Sequence, residues 1–332
     1  IQGGALDAWG LCDYAKYDSA RFDSEKGSAG PWLYDRVTTL YRGYAQSGDA
    51  AILRSAYVEA QIYRGGITGS GSGTRIGVPG KASDLKYHYS QGLALHYLLT
   101  GDERFRERAE DVAQRTSDLW KSPGYAGGSD FWTERHAGFA LLNYVWAEIV
   151  TDDKATLFGG LADAAVTAYL QVQSTYPAGY ASTTDRCFAH SAAAHGEGYG
   201  YFGCSPWMSA ILADGLDVYA RERAGAQRSA VRESLVKLGR AVAFAGLDGS
   251  GKPYYWMGIG GTQNQSDSYN EHWGESAYIV AMAWHYDGRK NNQLEQIAKA
   301  LVAGLKSKGS APHIRSFNWQ CRSAVLTPWY LQ

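Results

Sequence analysis

The stretches "YAQSGDAAILRSAYVEA" (Tyr44–Ala60) and "YLLTGDERFRERAEDVA" (Tyr97–Ala113) align without a gap. Both carry a Tyr, a Gly-Asp pair, and then apolar or small residues at helical i, i+4, i+8 spacing: Ile52 over Phe105, Ala56 over Ala109, Ala60 over Ala113. That period marks one face of an α-helix, and Gly followed by Asp ends one helix and starts the next. Each copy therefore reads as a helical hairpin. Weaker echoes follow at "EIVTDDKATLFGGLADAA" (Glu148–Ala165), "YARERAGAQRSAVRESLVKLGRAV" (Tyr219–Val242) and "MAWHYDGRKNNQLEQIAKALVAGL" (Met282–Leu305). A unit repeated in this way buries its apolar face only by stacking on its neighbours.

Within each pair the first helix is the more apolar, as in "FWTERHAGFALLNYVWAEIV" (Phe131–Val150) and "PWMSAILADGLDVYA" (Pro206–Ala220). The second is studded with charge, as in "DERFRERAEDVAQRTSDLW" (Asp102–Trp120). A helix apolar all round belongs inside and a one-sided helix outside. The expected fold is all-α: an (α/α) toroid of about five to six hairpins, in one catalytic domain over residues 1–332. An open helical solenoid would use the same hairpins. No long stretch shows the alternation of a β-strand.

The chain has 332 residues, 45% of them hydrophobic, enough for a large core. A formal net charge of −1 argues against nucleic acid or an anionic membrane as partner, and no apolar run is long enough to span a bilayer. Its four cysteines form an even set. Cys187 and Cys204 bracket a Gly-rich loop, and Cys12 and Cys321 lie near opposite ends, spacings that favour two disulfides; buried thiols are the alternative. A bond between Cys12 and Cys321 would favour closure of the ring. With a first residue other than Met, these cysteines suggest a secreted or periplasmic protein, although a trimmed chain would look the same.

The apolar helices begin with a recurring mixture of aromatic and ionisable residues. Trp32, Tyr34, Asp35 and Arg36 open the first; Lys86, Tyr87, His88 and Tyr89 the second; Trp132, Glu134, Arg135 and His136 the third; and Trp207 the fourth. Tyr269, Asn270, Glu271, His272 and Trp273 open the fifth, and Trp319 stands in the last segment. Singly, each has a bland explanation: rim packing for an aromatic, the helix dipole for an acid, a structural hydrogen bond for a His. In a ring of hairpins these starts share one rim, and recurrence there points to a site. An aromatic cleft holding a few charged groups suits a polysaccharide, whose sugar faces stack on Trp or Tyr while carboxylates meet Arg.

With that architecture, the segments "TERHAG" (Thr133–Gly138), "YNEHW" (Tyr269–Trp273) and "KYHYSQ" (Lys86–Gln91) make the chain resemble the (α/α) polysaccharide lyases of the alginate-lyase and chondroitin-lyase sort. More loosely, it resembles the (α/α) glycoside hydrolases. The lyase resemblance implies that an Asn and an Arg offset a uronate carboxylate while His and Tyr handle the protons. Here the candidates are Arg135 or Arg36 with Asn270, His136 or His88 as base, and Tyr87, Tyr89 or Tyr269 as acid, with His272 nearby. Asn270 and His272 are separated by Glu271 where the lyase pattern has them adjacent. The expected reaction is β-elimination on an acidic polysaccharide, with no cofactor and no metal, by a monomer. Paired carboxylates from Glu134, Glu271 and Asp35 keep a hydrolase open, as does a noncatalytic glycan-binding role. Tyr255 and Trp256, with Tyr254 beside them, complete the sugar-contact candidates, and Lys86, Arg36, Arg135 and Arg186 would make the cleft locally positive.

Between about 175 and 206 a long insertion breaks the hairpin rhythm and enters the fourth apolar helix on the same rim, as a lid or wall would. His190, His195, Glu197 and Cys204 within it do not have the spacing of a zinc site, and a loop pinned by a disulfide is the preferred reading. The Gly-rich segments "GSGSGTRIG" (Gly69–Gly77) and "GLDGSGKPYYWMGIGG" (Gly246–Gly261) read as flexible rim loops, since the first lacks the marks of a nucleotide loop.

Overall fold

A computed structural model describes residues 12–120, 133–191, 200–259 and 263–332. Its elements run in order: α1 (Ser19–Glu25), α2 (Arg36–Ser47), α3 (Ala50–Gly65), β1 (Ile67–Thr68), β2 (Arg75–Ile76), α4 (Gln91–Thr100), α5 (Glu103–Leu119), α6 (Glu134–Val150) and α7 (Ala155–Thr175). Then come β3 (His190–Ser191), β4 (Phe202–Cys204), α8 (Pro206–Glu222), α9 (Gly225–Ala245), β5 (Tyr254–Gly258), β6 (Gln265–Ser266), α10 (Trp273–Tyr286), α11 (Asn292–Lys308), α12 (Ile314–Ala324) and α13 (Thr327–Tyr330). The hairpins α2/α3, α4/α5, α6/α7, α8/α9 and α10/α11 are those expected from the repeat.

The repeat's Gly-Asp pair works by local chemistry. Gly48 and Gly101 close α2 and α4 in the left-handed region, at φ 70° and 69°. Asp49 and Asp102 then cap α3 and α5, accepting from the backbone N–H groups of Ala51 at 2.7 Å and Arg104 at 3.1 Å. One residue thus reverses the chain and the next satisfies a donor left unpaired at a helix start.

Among the described residues two compact units are distinguished. The first comprises residues 12–120, 142–162 and 311–325. It holds both copies of the clear repeat and α12, and Ala113, Ala147 and Phe158 pack in its core with Leu161 against them. Cys12 is bonded to Cys321. The second comprises residues 133–141, 163–191, 200–259, 263–310 and 326–332. Here α8 buries fourteen of its seventeen residues and α10 twelve of fourteen, whereas α9 buries eight of twenty-one, the inside–outside contrast seen in the sequence. At Gly138, α6 approaches α8 so closely that an added Cβ would stand 2.5 Å from the Leu212 nitrogen, so a side chain there would force the helices apart.

The second unit also holds a feature not expected: a four-stranded antiparallel sheet in the order β3-β4-β5-β6. It registers His190 with Gly203, Cys204 with Met257 and Trp256 with Gln265. The insertion and the Gly-rich segment before α10 are thereby one hydrogen-bonded structure, further pinned by the Cys187–Cys204 disulfide. In the first unit, "GSGSGTRIG" lies in a β1–β2 hairpin that pairs Ile67 with Ile76. The described parts of both segments therefore contain paired strands, where loops were expected. Two disulfides fit an extracellular or periplasmic setting, and among the described residues no helix is long and apolar enough to cross a membrane.

At Gly48 an added Cβ meets nothing, so the cost of Gly48→Ala is conformational alone. We expect a loss of about 1 kcal/mol, a smaller loss for Gly48→Asn, and about 1 kcal/mol for Asp49→Ala, read from the midpoint of urea unfolding. Equal losses for Ala and Asn at position 48 would contradict this account of the turn.

Candidate active site

In the first unit the starts of α2 and α4 meet. Tyr34 and Asp35 both lie in the left-handed region, at φ 73° and 50°, a strained pair immediately before α2. Asp35 caps α2, its carboxylate accepting from the Thr38 N–H at 3.1 Å and the Thr38 hydroxyl at 2.6 Å. Burial raises its pKa, opposed by Arg322 and by Thr38. The Tyr34 N–H donates to the Tyr89 hydroxyl at 2.9 Å, and Tyr89 donates to the Lys86 carbonyl. Tyr63 donates to the Tyr87 carbonyl and accepts from the Tyr89 N–H, at 2.8 and 2.9 Å. Tyr34 meets Trp319 edge to face, and Lys86 lies 3.5 Å from Asp84. These tyrosines are chiefly a hydrogen-bonded core.

Arg36 must be reassigned. Its guanidinium is buried and forked onto Glu59 of α3, and it also donates to the carbonyls of Tyr17 and Asp18 and to Asn318. A cation committed to a buried carboxylate cannot also receive a uronate without leaving Glu59 unpaired. Trp32 packs on Phe22 and Tyr63. His88 is wholly buried, with Nδ1 2.9 Å from the Asp84 carbonyl and Nε2 without a hydrogen-bond partner. Burial lowers its pKa to about 4. With no accessible surface, His88 is not presented as a base.

In the second unit the starts of α6, α8 and α10 come together. Glu134 is buried, with one oxygen 2.6 Å from His190 Nε2 and the other accepting from the Ser205 N–H at 2.9 Å and the Ser209 hydroxyl at 3.4 Å. It ties α6 to β3 and to the head of α8. His190 also places Nδ1 2.8 Å from the Ser191 carbonyl, and Cys204 is in a disulfide. Neither offers a metal the atom that a zinc reading required; His195 and Glu197 lie outside the described residues, as does Trp132. His136 is buried with Nδ1 2.7 Å from the Thr133 hydroxyl. Arg186, expected to charge the cleft, is buried and donates to the carbonyls of Gln173, Tyr180, Ser182 and Tyr176.

The densest grouping surrounds His272, the residue preceding α10. Its ring stacks on Trp207 at 5.1 Å and 12°, with Tyr255 at 5.9 Å and 42°. Nδ1 lies 3.4 Å from a Glu275 oxygen, and the Arg135 guanidinium lies 5.3 Å from the centre of the same Trp207 ring. Trp207 donates to the Tyr255 carbonyl at 3.1 Å. Glu275 is fully buried, its other oxygen has no hydrogen-bond partner, and burial raises its pKa against the opposing pull of His272. Sequence reasoning missed Glu275, although His-x-x-Glu across a helix start is a legible i, i+3 signal. It also missed Asp267, whose two oxygens accept from the N–H groups of Tyr269 and Glu271 at 3.0 and 2.8 Å and set the turn before α10. In that turn Asn270 is left-handed, φ 57°, Tyr269 is 70% exposed and Glu271 is buried. Trp256 is fully buried against His190, and Trp273 packs on Gly304 beneath Lys308, so both are core residues rather than sugar platforms.

No family model matches the sequence, and no curated protein matches it. Among solved structures the chain is similar to a glycosyl hydrolase family 88 protein from Bacteroides vulgatus, at a TM-score of 0.65 and 10% identity over 98% of this chain and 99% of that one. It is similar also to a polysaccharide lyase, at 0.65 and 10% over 98% of each chain. At that identity the likeness shows the fold: an (α/α) toroid, as expected from the repeat.

His88 yields a pH test. A buried imidazole whose folded-state pKa is depressed contributes stability that is intact above about 6.5 and lost as pH falls toward about 4, because the unfolded chain takes the proton first. His88→Asn keeps a donor for the Asp84 carbonyl. Between pH 6.5 and 4 the wild type should lose up to roughly 3 kcal/mol more than this variant, measured by urea unfolding across that range. Parallel pH curves would show that His88 titrates normally.

Proposed function

We propose that this protein is a carbohydrate-active enzyme that cleaves an acidic, uronate-containing polysaccharide by β-elimination, with its chemistry centred on His272. The observation that carries this reading is one constellation: an imidazole backed by the buried Glu275 and stacked on Trp207, with Arg135 on the same indole and Tyr255 alongside. The shared fold with a polysaccharide lyase supports it at the level of architecture. Two disulfides suit an enzyme exported to its polymer.

In the proposed reaction Arg135 meets the uronate carboxylate and offsets the charge that builds as the enolate forms. Glu275 holds Nδ1–H, so that Nε2 of His272 takes the C5 proton. The C5–H electrons form the C4=C5 double bond, the C4–O4 bond breaks, and the departing O4 takes a proton from the Tyr255 hydroxyl. Tyr255 orients the sugar ring, and the buried Trp207 holds the His272 imidazole in place.

A hydrolase is the second reading, and Glu275 favours it specifically. A carboxyl whose pKa is raised by burial is suited to a general acid, with the buried Glu271 as the candidate for the second carboxylate. Glu134 fits that role less well, because both of its oxygens are already engaged.

The two readings separate on alginate, polyglucuronate and polygalacturonate. A lyase raises ultraviolet absorbance with each cut, since the new double bond is conjugated to the carboxylate. His272→Ala should lower kcat by about a hundredfold or more, Arg135→Ala should raise KM and lower kcat, and Glu275→Gln should retain measurable turnover. Reducing ends released without any absorbance change, and abolished by Glu275→Gln, would replace the lyase with the hydrolase.

A further inference from the structure

At the far ends of the helices that carry the proposed site, the second unit exposes a different chemistry. The α8 residue Arg221 lies fourteen positions after Trp207, and His285 of α10 thirteen after His272, so the two ends stand about 20 Å apart along the helix axes. Around His285, ring centres lie at 5.1 Å for Trp329, 5.1 Å for Tyr286 and 5.5 Å for Tyr330. Trp329 is 46% exposed, unusually open for an indole. Three arginines each lie over an aromatic ring here: Arg221 over Trp329 at 4.7 Å, Arg232 over Tyr286 at 5.0 Å and Arg289 over Trp284 at 5.5 Å.

The charges do not balance. Asp217 is engaged by Arg221 at 2.9 Å and accepts from the hydroxyls of Tyr330, at 2.7 Å, and Tyr286. Among the described residues neither Arg232 nor Arg289 has a carboxylate within ion-pair distance, and the buried Arg232 Nε and His285 Nδ1 have no hydrogen-bond partner. Burial lowers the pKa of His285, as do the neighbouring arginines. Arg289 occupies the left-handed region at φ 62°, an unfavourable place for a long side chain in a turn that Gly would fill without strain. Packing alone does not call for two unpaired guanidiniums beside an open indole.

We propose that this surface is a second, noncatalytic binding patch for the acidic polysaccharide, in which Trp329 stacks on a sugar ring while Arg232 and Arg289 receive uronate carboxylates. Stacking sets the spacing along the polymer, and planar guanidiniums receive carboxylates through paired hydrogen bonds. The inference rests on the proposed acidic-polymer reading for the identity of the ligand. A patch of this kind raises the local concentration of a long chain at the enzyme and does nothing for a short one.

The test uses the full chain carrying His272→Ala, so that the probe is not consumed, in affinity electrophoresis and calorimetry with alginate, polygalacturonate and neutral dextran. On that background Trp329→Ala and Arg289→Gly should each weaken binding of an acidic polymer at least fivefold, and added salt should weaken the parent more than Arg289→Gly. Because Gly suits φ 62°, a loss in Arg289→Gly cannot be put down to misfolding. With His272 intact, both variants should degrade an acidic tetrasaccharide at the parental rate. Unchanged binding in both variants, equal binding of dextran, or no binding of either acidic polymer by the parent would overturn the patch. So would light scattering that shows a dimer dissociated by Trp329→Ala, which would assign the surface to a second copy. Retention lost in both variants while no acidic polymer ever gives an absorbance rise would keep the patch and sink the lyase.

Discussion

A helix that starts inside a protein brings unpaired N–H groups into a place without water, and they must be met by side chains. The apolar helices here are governed by that constraint. Asp35 answers it for α2, Thr133 accepts from the His136 N–H in α6, and Asp267 holds the turn before α10. Asn143, from the middle of α6, reaches the head of α4: its oxygen accepts from the Ser90 N–H at 2.8 Å, and its amide donates to the His88 carbonyl and the Thr116 hydroxyl. Glu134 does the same for the head of α8. Polar residues at the start of a buried helix are thus first a requirement of folding, and any chemistry is built from what that requirement leaves over.

This explains which parts of the molecule were legible in the sequence. The hairpins were, because a left-handed Gly and a capping Asp act within two residues of each other and the helical period repeats over a whole turn. The small sheet was not, because its strands run two to five residues, too short to display an alternation, and its central pairing, Gly203 with Gly258, joins segments some fifty residues apart in the chain. No local pattern announces such a pairing.

For the candidate site the residue types were legible but their roles were not. Arg36 and Arg135 look alike in sequence, each at the head of an apolar helix. Glu59, which occupies Arg36, lies 23 positions away on a charged helix, whereas Arg135 rests on Trp207. His88 and His272 are both buried and differ in what surrounds them. The first is sealed behind the Asp84 carbonyl, and the second lies among aromatic rings with a carboxylate at its back. Long-range partners, rather than composition, decide what each of these ions is set against.

The bond between Cys12 and Cys321 spans 309 positions and makes almost the whole chain one covalent loop. A protease that cuts a single exposed turn between them linearises that loop without releasing a fragment, so both cut ends stay tethered and the helices on either side remain neighbours. Damage that would split an open chain in two becomes a nick. In the extracellular or periplasmic setting that two disulfides fit, that topology would extend working life without adding a single contact to the folded state.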